Sequence, residues 1–136
     1  MKEYDPRTLP QVTSVVIVDL RSIDANRVSE YMWGSKDAPK TKCDSETTER
    51  IAEIWRNLPP GEMGRCHTPP IGIRFYIGSQ VVCDGSICWA CENIFGTDDN
   101  DEYCYAFDSK SQSAVKLFDV IQAVVGPDVL SNREMD

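Results

Sequence analysis

The feature that most constrains this chain is a series of three period-two segments between Ile71 and Asp108, punctuated by turn residues. In Ile71 to Ile77 the apolar Ile73, Phe75 and Ile77 alternate with Arg74 and Tyr76, the pattern of a strand dry on one side and wet on the other. Gly78-Ser79 turns the chain at little steric cost, so Gln80 to Ile94 is expected to pair back, with a bulge or bend at Asp84-Gly85 where the alternation breaks. After an acidic turn from Gly96 to Glu102, Tyr103 to Asp108 reads as a third strand with Tyr103, Tyr105 and Phe107 on one face. Parallel neighbours need a crossover of about a dozen residues or more, so links this short imply an antiparallel meander.

Two helices and one further strand flank it. Gln11 to Leu20 crowds β-branched residues around Val15-Val16-Ile17-Val18, as in a central strand covered on both faces. A helix begins at the Asp44-Ser45 cap and places Ile51, Ile54, Trp55 and Leu58 on one face before Pro59-Pro60-Gly61 stops it. At that spacing Trp55 is a core residue rather than a stacking platform for a ligand. The last helix starts at Ser109 or Ser111, carries Ala114, Leu117, Phe118, Ile121 and Val125 as its stripe, and meets a stop at Gly126-Pro127. Between Arg21 and Lys42 only VSEYMW offers a helical turn, and GSKDAPKTK reads as loop. The expectation is one α+β domain over 1–136, with about four mainly antiparallel strands in the order β-α-β-β-β-α, helices on one face, and flexible ends at 1–10 and 128–136.

Charge and hydropathy narrow the function classes. Twenty-two acidic against fourteen basic residues give a net charge of -8, which disfavours nucleic acid and anionic membranes as partners and favours a basic protein. The first ten residues lack the apolar core of a secretion signal, and no apolar run is long enough to span a bilayer, so a cytoplasmic protein is expected. A leader removed beforehand stays open. No glycine-rich phosphate loop supports nucleotide binding. With six cysteines in a chain larger than the small disulfide scaffolds, reduced thiols are expected.

The chemistry-bearing residues concentrate between Cys66 and Ile94. Cys88-Trp89-Ala90-Cys91 has the two-residue spacing of zinc knuckles and dithiol redox pairs, and Cys66 with His67 would complete a four-ligand zinc set. Against this, residues three apart on a regular strand point to opposite faces, and the sequence announces no tight turn there. Glu92 beside the pair would raise a thiol pKa rather than lower it. Cysteine is also among the most buried residue types, so Cys83, Cys88, Cys91 and Cys104 read equally as small core residues. Cys66 and His67 as nucleophile and base is a poor fit, because adjacent side chains diverge. His67, placed before Thr68-Pro69-Pro70, is expected to hold its loop through hydrogen bonds.

The acidic turn of Asp98, Asp99, Asn100, Asp101 and Glu102 lacks the ligand spacing of a calcium loop and reads as a solvated turn or a contact patch for a basic partner, with Glu92, Asp84 and Asp108 on the same edge. Trp89, Tyr103 and Tyr105 are the candidate aromatic anchors of such a patch.

The pattern Cys66-His67-x-Pro69, Gly72-Ile73-Arg74-Phe75 and Ser86-Ile87-Cys88-Trp89-x-Cys91-x-Asn93-Ile94 resembles a family of small, uncharacterised bacterial proteins, from Trp55 through the last helix. The resemblance implies a bacterial or phage context and brings no established activity with it. Small size, acidity and the lack of a catalytic set favour a stoichiometric binding protein over an enzyme, of the kind formed by immunity proteins and other inhibitors of a basic toxin or effector, with no cofactor. The alternative is a zinc-stabilised or thiol-active protein using Cys66, His67, Cys88 and Cys91.

Overall fold

The computed structural model describes residues 2–23, 25–64 and 66–134. Among the described residues one six-stranded antiparallel sheet carries the fold, built from β1 (Ser14–Asp19), β2 (Lys40–Lys42), β3 (Ile71–Ile77), β4 (Gln80–Cys88), β5 (Asn93–Asp98) and β6 (Asp101–Ala106) in the spatial order β2-β1-β3-β4-β5-β6. Four α-helices among the described residues accompany it: α1 (Val28–Gly34), α2 (Ser45–Arg56), α3 (Gln112–Val125) and α4 (Pro127–Glu134). The α+β class and the antiparallel meander agree with the sequence pattern, but the strand count is higher than four for two physical reasons.

The stretch from Gln80 to Ile94 is two strands rather than one. It breaks after Cys88 because residues 89–92 form a tight turn, in which the Glu92 N–H reaches the Trp89 carbonyl at 3.2 Å and Glu92 takes a left-handed backbone with φ 59°. The expected irregularity at Asp84-Gly85 sits earlier, where the pairing of β3 with β4 slips between Phe75 and Tyr76. The second addition is β2, three exposed residues from the expected loop, which pair with Val16 to Val18 along the edge of β1.

The helices do not share one face. Cys83 and Ile87 of β4 join Ile71, Ile73 and Phe75 of β3 in the main core, where α2 and α3 supply Ile51, Trp55, Leu117 and Ile121. The Asp44 side chain accepts the Thr47 N–H at 2.7 Å and the Ser111 hydroxyl accepts the Ala114 N–H at 3.1 Å, so both expected caps operate. Val18 and Leu20 point the other way and pack with Tyr31 of α1, so α1 covers the opposite face.

The two ends also differ from a loose arm and a frayed tail. Tyr4 is buried, stacks on Tyr103 at 4.1 Å and accepts the Trp55 Nε1–H at 2.8 Å, which closes the end of the main core. Gly126 ends α3, yet Pro127 then opens α4, whose Val129 and Leu130 are buried, while residues 135 and 136 lie outside the described residues. Among the described residues no helix is long and apolar enough to cross a membrane.

Candidate functional site: a sulfur cluster at one end of the sheet

The loop between α2 and β3 crosses the sheet face opposite α2 and α3, where Asp84, Ser86 and Cys88 project by strand alternation. Two hydrogen-bond networks fix that face. In the first, Asn93 donates from Nδ2 to the Cys66 carbonyl at 2.8 Å, which turns its Oδ1 toward His67 Nδ1 at 2.6 Å. His67 therefore carries its proton on Nδ1, and its Nε2 faces the Ser86 hydroxyl at 2.7 Å. Phe95 stacks on the imidazole at 4.0 Å. Burial holds the His67 pKa down to about 4, against the Asn93 hydrogen bond, so the ring is neutral at pH 7.

This Ser86-His67-Asn93 chain has the connectivity of a nucleophile, a base and its orienter. Ser86 is completely buried, however, and its oxygen also lies 3.1 Å from the Phe95 carbonyl. No substrate reaches it, and the chain works as a clamp that fastens the loop to β4 and β5. The sequence expectation that His67 holds its loop agrees with this geometry.

The second network was not legible in the sequence. Asp84 is buried and accepts the Tyr31 hydroxyl and, at 2.9 Å, Arg74 Nε, while Arg74 also donates to the Ser35 hydroxyl. Burial pushes Asp84 up to about 6, against the Tyr31 and Arg74 contacts that pull it down. The network joins α1 to the sheet, so Asp84 is no part of an acidic edge.

Next to the His67 clamp lie three sulfurs. Cys66 and Cys91 form a disulfide with Cα atoms 5.6 Å apart, an ordinary span for the bond, in place of the expected reduced thiols. Cys66 is exposed and Cys91 buried. Cys88 is brought beside them by the turn the sequence did not announce: the Cys91 N–H donates to Cys88 Sγ at 3.2 Å. The Thr68 hydroxyl sits 3.8 Å from Cys88 Sγ and 3.9 Å from Cys91 Sγ, so both sulfurs converge on one point. Cys66, one half of the disulfide, lines a cavity of about 440 Å³ together with Met63, His67, Thr68 and Cys104.

The other three cysteines stand apart from this chemistry. Burial pushes the thiol of Cys83 up to about 12 and those of Cys43 and Cys104 up to about 11, which keeps them protonated and poorly nucleophilic at neutral pH. Cys83 fits the core reading, whereas Cys104 is half-buried and points its thiol at Met63 Sδ, 3.6 Å away.

The zinc set of Cys66, His67, Cys88 and Cys91 does not assemble in this state. Both ring nitrogens of His67 are engaged by Asn93 and Ser86, and two of the sulfurs are bonded to each other. Among the described residues no three of His, Cys, Asp and Glu are arranged to hold a metal ion.

The expected acidic and aromatic patch is divided. Asp98, Asp99, Asp101 and Glu102 sit at the β5–β6 hairpin, where Lys2 pairs with Asp98 at 3.1 Å and Asp101 at 3.8 Å. Glu92 lies at the opposite end of β5, about 20 Å away at the rise of an extended strand. Tyr103 is fully buried beneath Tyr4, and the half-buried Tyr105 donates its hydroxyl to the Leu58 carbonyl at 2.7 Å. Trp89 is buried too, donating Nε1–H to the Ala114 carbonyl at 3.0 Å and meeting Phe118 edge-on at 5.2 Å. Trp89 and Glu92 do share a groove of about 860 Å³ with Val115, Phe118, Asp119 and Lys110. A large exposed aromatic that the sequence reading passed over is Trp33 on α1, 75% exposed with Lys36 4.6 Å above its ring.

No protein-family model, curated protein or solved structure matches this chain.

Proposed function

We propose that this is a thiol-active protein whose centre is the Cys66–Cys91 disulfide with Cys88 beside it. The observation that carries the reading is the convergence of Cys88 Sγ and Cys91 Sγ on the Thr68 hydroxyl, at 3.8 and 3.9 Å, with the second partner of the disulfide, Cys66, exposed. Exchange needs an accessible sulfur to attack, and the exposed Cys66 supports that role. A thiolate of an external dithiol attacks Cys66 Sγ, the S–S bond breaks, and Cys91 leaves with the electron pair and takes a proton from solvent. The second thiol of that reductant then displaces Cys66, so the protein gains two thiols and the reductant becomes a disulfide. Alternatively the Cys88 thiolate attacks Cys91 Sγ, forms a Cys88–Cys91 bond and releases Cys66 as an exposed thiolate with no net redox change.

The test is to hold the folded protein in dithiol buffers of graded potential, alkylate, and map the cysteines by mass. The expected result is cooperative two-thiol reduction of Cys66 and Cys91, and Cys88–Cys91 pairing in a Cys66→Ser variant after oxidation. A bridge that opens only once the chain unfolds overturns the reading.

A second reading, an immunity-type or inhibitor protein that binds a basic partner, is supported by the groove beside α3. Its walls are the perpendicular rings of Trp89 and Phe118, with Glu92 and Asp119 at the rim and one counter-charge, Lys110. A lysine or arginine side chain would find an aromatic face and carboxylates together there. Titration with a lysine-rich peptide should shift the amide resonances of residues 89–92 and 115–122. Shifts confined to the β5–β6 hairpin, or salt-sensitive shifts spread over all the acidic residues, would count against it.

A further inference from the structure

Opening the disulfide leaves three cysteine sulfurs around one point, and we propose that the reduced protein binds a single thiophilic metal ion of the Zn²⁺ class through Cys66, Cys88 and Cys91. The inference rests on the thiol-active reading of this centre and adds a ligand to it. A metal held by thiolates needs sulfurs on one side of a tight turn, with backbone N–H groups aimed at them. The turn at residues 89–92 supplies this, since the Cys91 N–H already donates to Cys88 Sγ at 3.2 Å.

The dimensions agree. Around zinc, with bonds of about 2.3 Å to sulfur and 2.0 Å to oxygen, the edges of a tetrahedron are about 3.8 Å between sulfurs and 3.5 Å between oxygen and sulfur. The Thr68 hydroxyl stands 3.8 and 3.9 Å from the sulfurs of Cys88 and Cys91, close to such an edge. Cys66 Sγ must then move off Cys91 Sγ to reach the sulfur–sulfur edge length. Its side chain is exposed, and its carbonyl stays anchored by Asn93 at 2.8 Å, so side-chain rotation supplies that displacement without moving the loop.

The fourth position falls to the Thr68 hydroxyl or to water from the cavity that Cys66 and Thr68 line, leaving an open site. His67 is not a ligand, because its nitrogens are committed to Asn93 and Ser86. Binding releases the thiol protons to solvent and makes metal and disulfide mutually exclusive, so oxidation by a disulfide or peroxide expels the ion.

The experiment is a Zn²⁺ titration of the full chain, oxidised and reduced, read by calorimetry and by native mass. The reduced form is also prepared by unfolding and refolding in reductant, so a bridge that resists reduction in the folded state defeats the thiol-active reading while the metal is still tested. The expected result is one zinc bound by the reduced protein and none by the oxidised protein. Cys88→Ser should weaken binding by at least about 100-fold, as for loss of a direct ligand, while His67→Gln and Cys104→Ser keep it. Equal binding by both redox forms overturns the inference. So does a reduced protein that folds, by circular dichroism, and takes up no zinc.

Discussion

At the scale of single residues, His67 shows how burial converts an ordinary side chain into a pH-dependent fastener. Its neutral ring joins Asn93 and Ser86, and burial holds its pKa at about 4, below the ordinary 6.5. A lowered value in the folded state means that the unfolded chain takes up the proton first. The stabilisation is therefore complete above pH 6.5 and is lost as pH falls toward 4, by up to about 3 kcal/mol at 1.36 kcal/mol per unit. Asp84, raised to about 6, acts in the opposite sense over much of that window: its raised value favours the fold at low pH, and this contribution is lost as pH rises through 6. Comparison with His67→Gln removes this overlap. In urea unfolding, the stability gap between wild type and His67→Gln should narrow steadily from pH 6.5 to 4, and a constant gap would remove the neutral ring from the account. The histidine's role was legible because it is the lone histidine before a Pro-Pro pair. Its partners Ser86 and Asn93 were not, because nothing local marks a serine or an asparagine in a strand for a contact 19 or 26 residues away.

At the scale of elements, the turns were harder to read than the strands. Alternation located β3, and the capped apolar stripes located α2 and α3, because burial on one face imposes a period. The 89–92 turn left no such mark: Glu92 adopts φ 59° without being glycine, and the apolar residues on either side read as a continuous strand. The chain tolerates that conformation because flanking contacts hold it, including the Glu92 carbonyl that accepts the Phe107 N–H at 3.1 Å. The β5–β6 hairpin turns through Asp99 and Asn100, both left-handed, with φ 51° and 69°. That is the backbone of a two-residue type I′ turn, for which glycine at the second position is preferred. Asn100→Gly should stabilise the protein by about 0.5 kcal/mol, visible as a higher urea midpoint at unchanged slope, and a lower midpoint would rule this turn type out. On β3 the opposite holds. A Cβ on Gly72 would overlap the buried Tyr31 ring, so Gly72→Ala should cost about 2 kcal/mol as overpacking and loosen α1 from the sheet. A neutral result in the same urea measurement would place α1 elsewhere. The sequence marked the helical turn that becomes α1 but not the Asp84–Arg74–Tyr31 network that docks it, since its anchor lies 53 residues away in Asp84.

At the scale of the whole molecule, the disulfide ties the loop before β3 to the turn after β4 and closes a segment with a sequence separation of 25. A loop of that length restricts the unfolded chain by about 3 kcal/mol, so reduction should lower the stability of the folded protein by that order without unfolding it. The His67 clamp, the Pro59 carbonyl that accepts the Asp108 N–H at 2.9 Å, and the Gly61 N–H bonded to the Ala106 carbonyl at 3.0 Å keep the loop in place. A fold that survives opening of its bridge is what a thiol-active centre requires. The net charge of -8 was read from composition alone, and composition does not say where charge collects: part of it meets Lys2 at the hairpin and part lines the groove beside α3. The sequence already grouped Cys66 with Cys88 and Cys91, as zinc ligands beside His67, whereas the fold joins Cys66 to Cys91 in a disulfide.

The most direct measurement is differential alkylation of the native protein in dithiol buffers of graded potential, with every cysteine assigned by peptide mass. The Cys66–Cys91 bridge is expected to open in one two-electron step while the protein stays folded, with Cys43, Cys83 and Cys104 unreactive throughout. Six thiols in the air-equilibrated protein, or a bridge that opens only on unfolding, would contradict it.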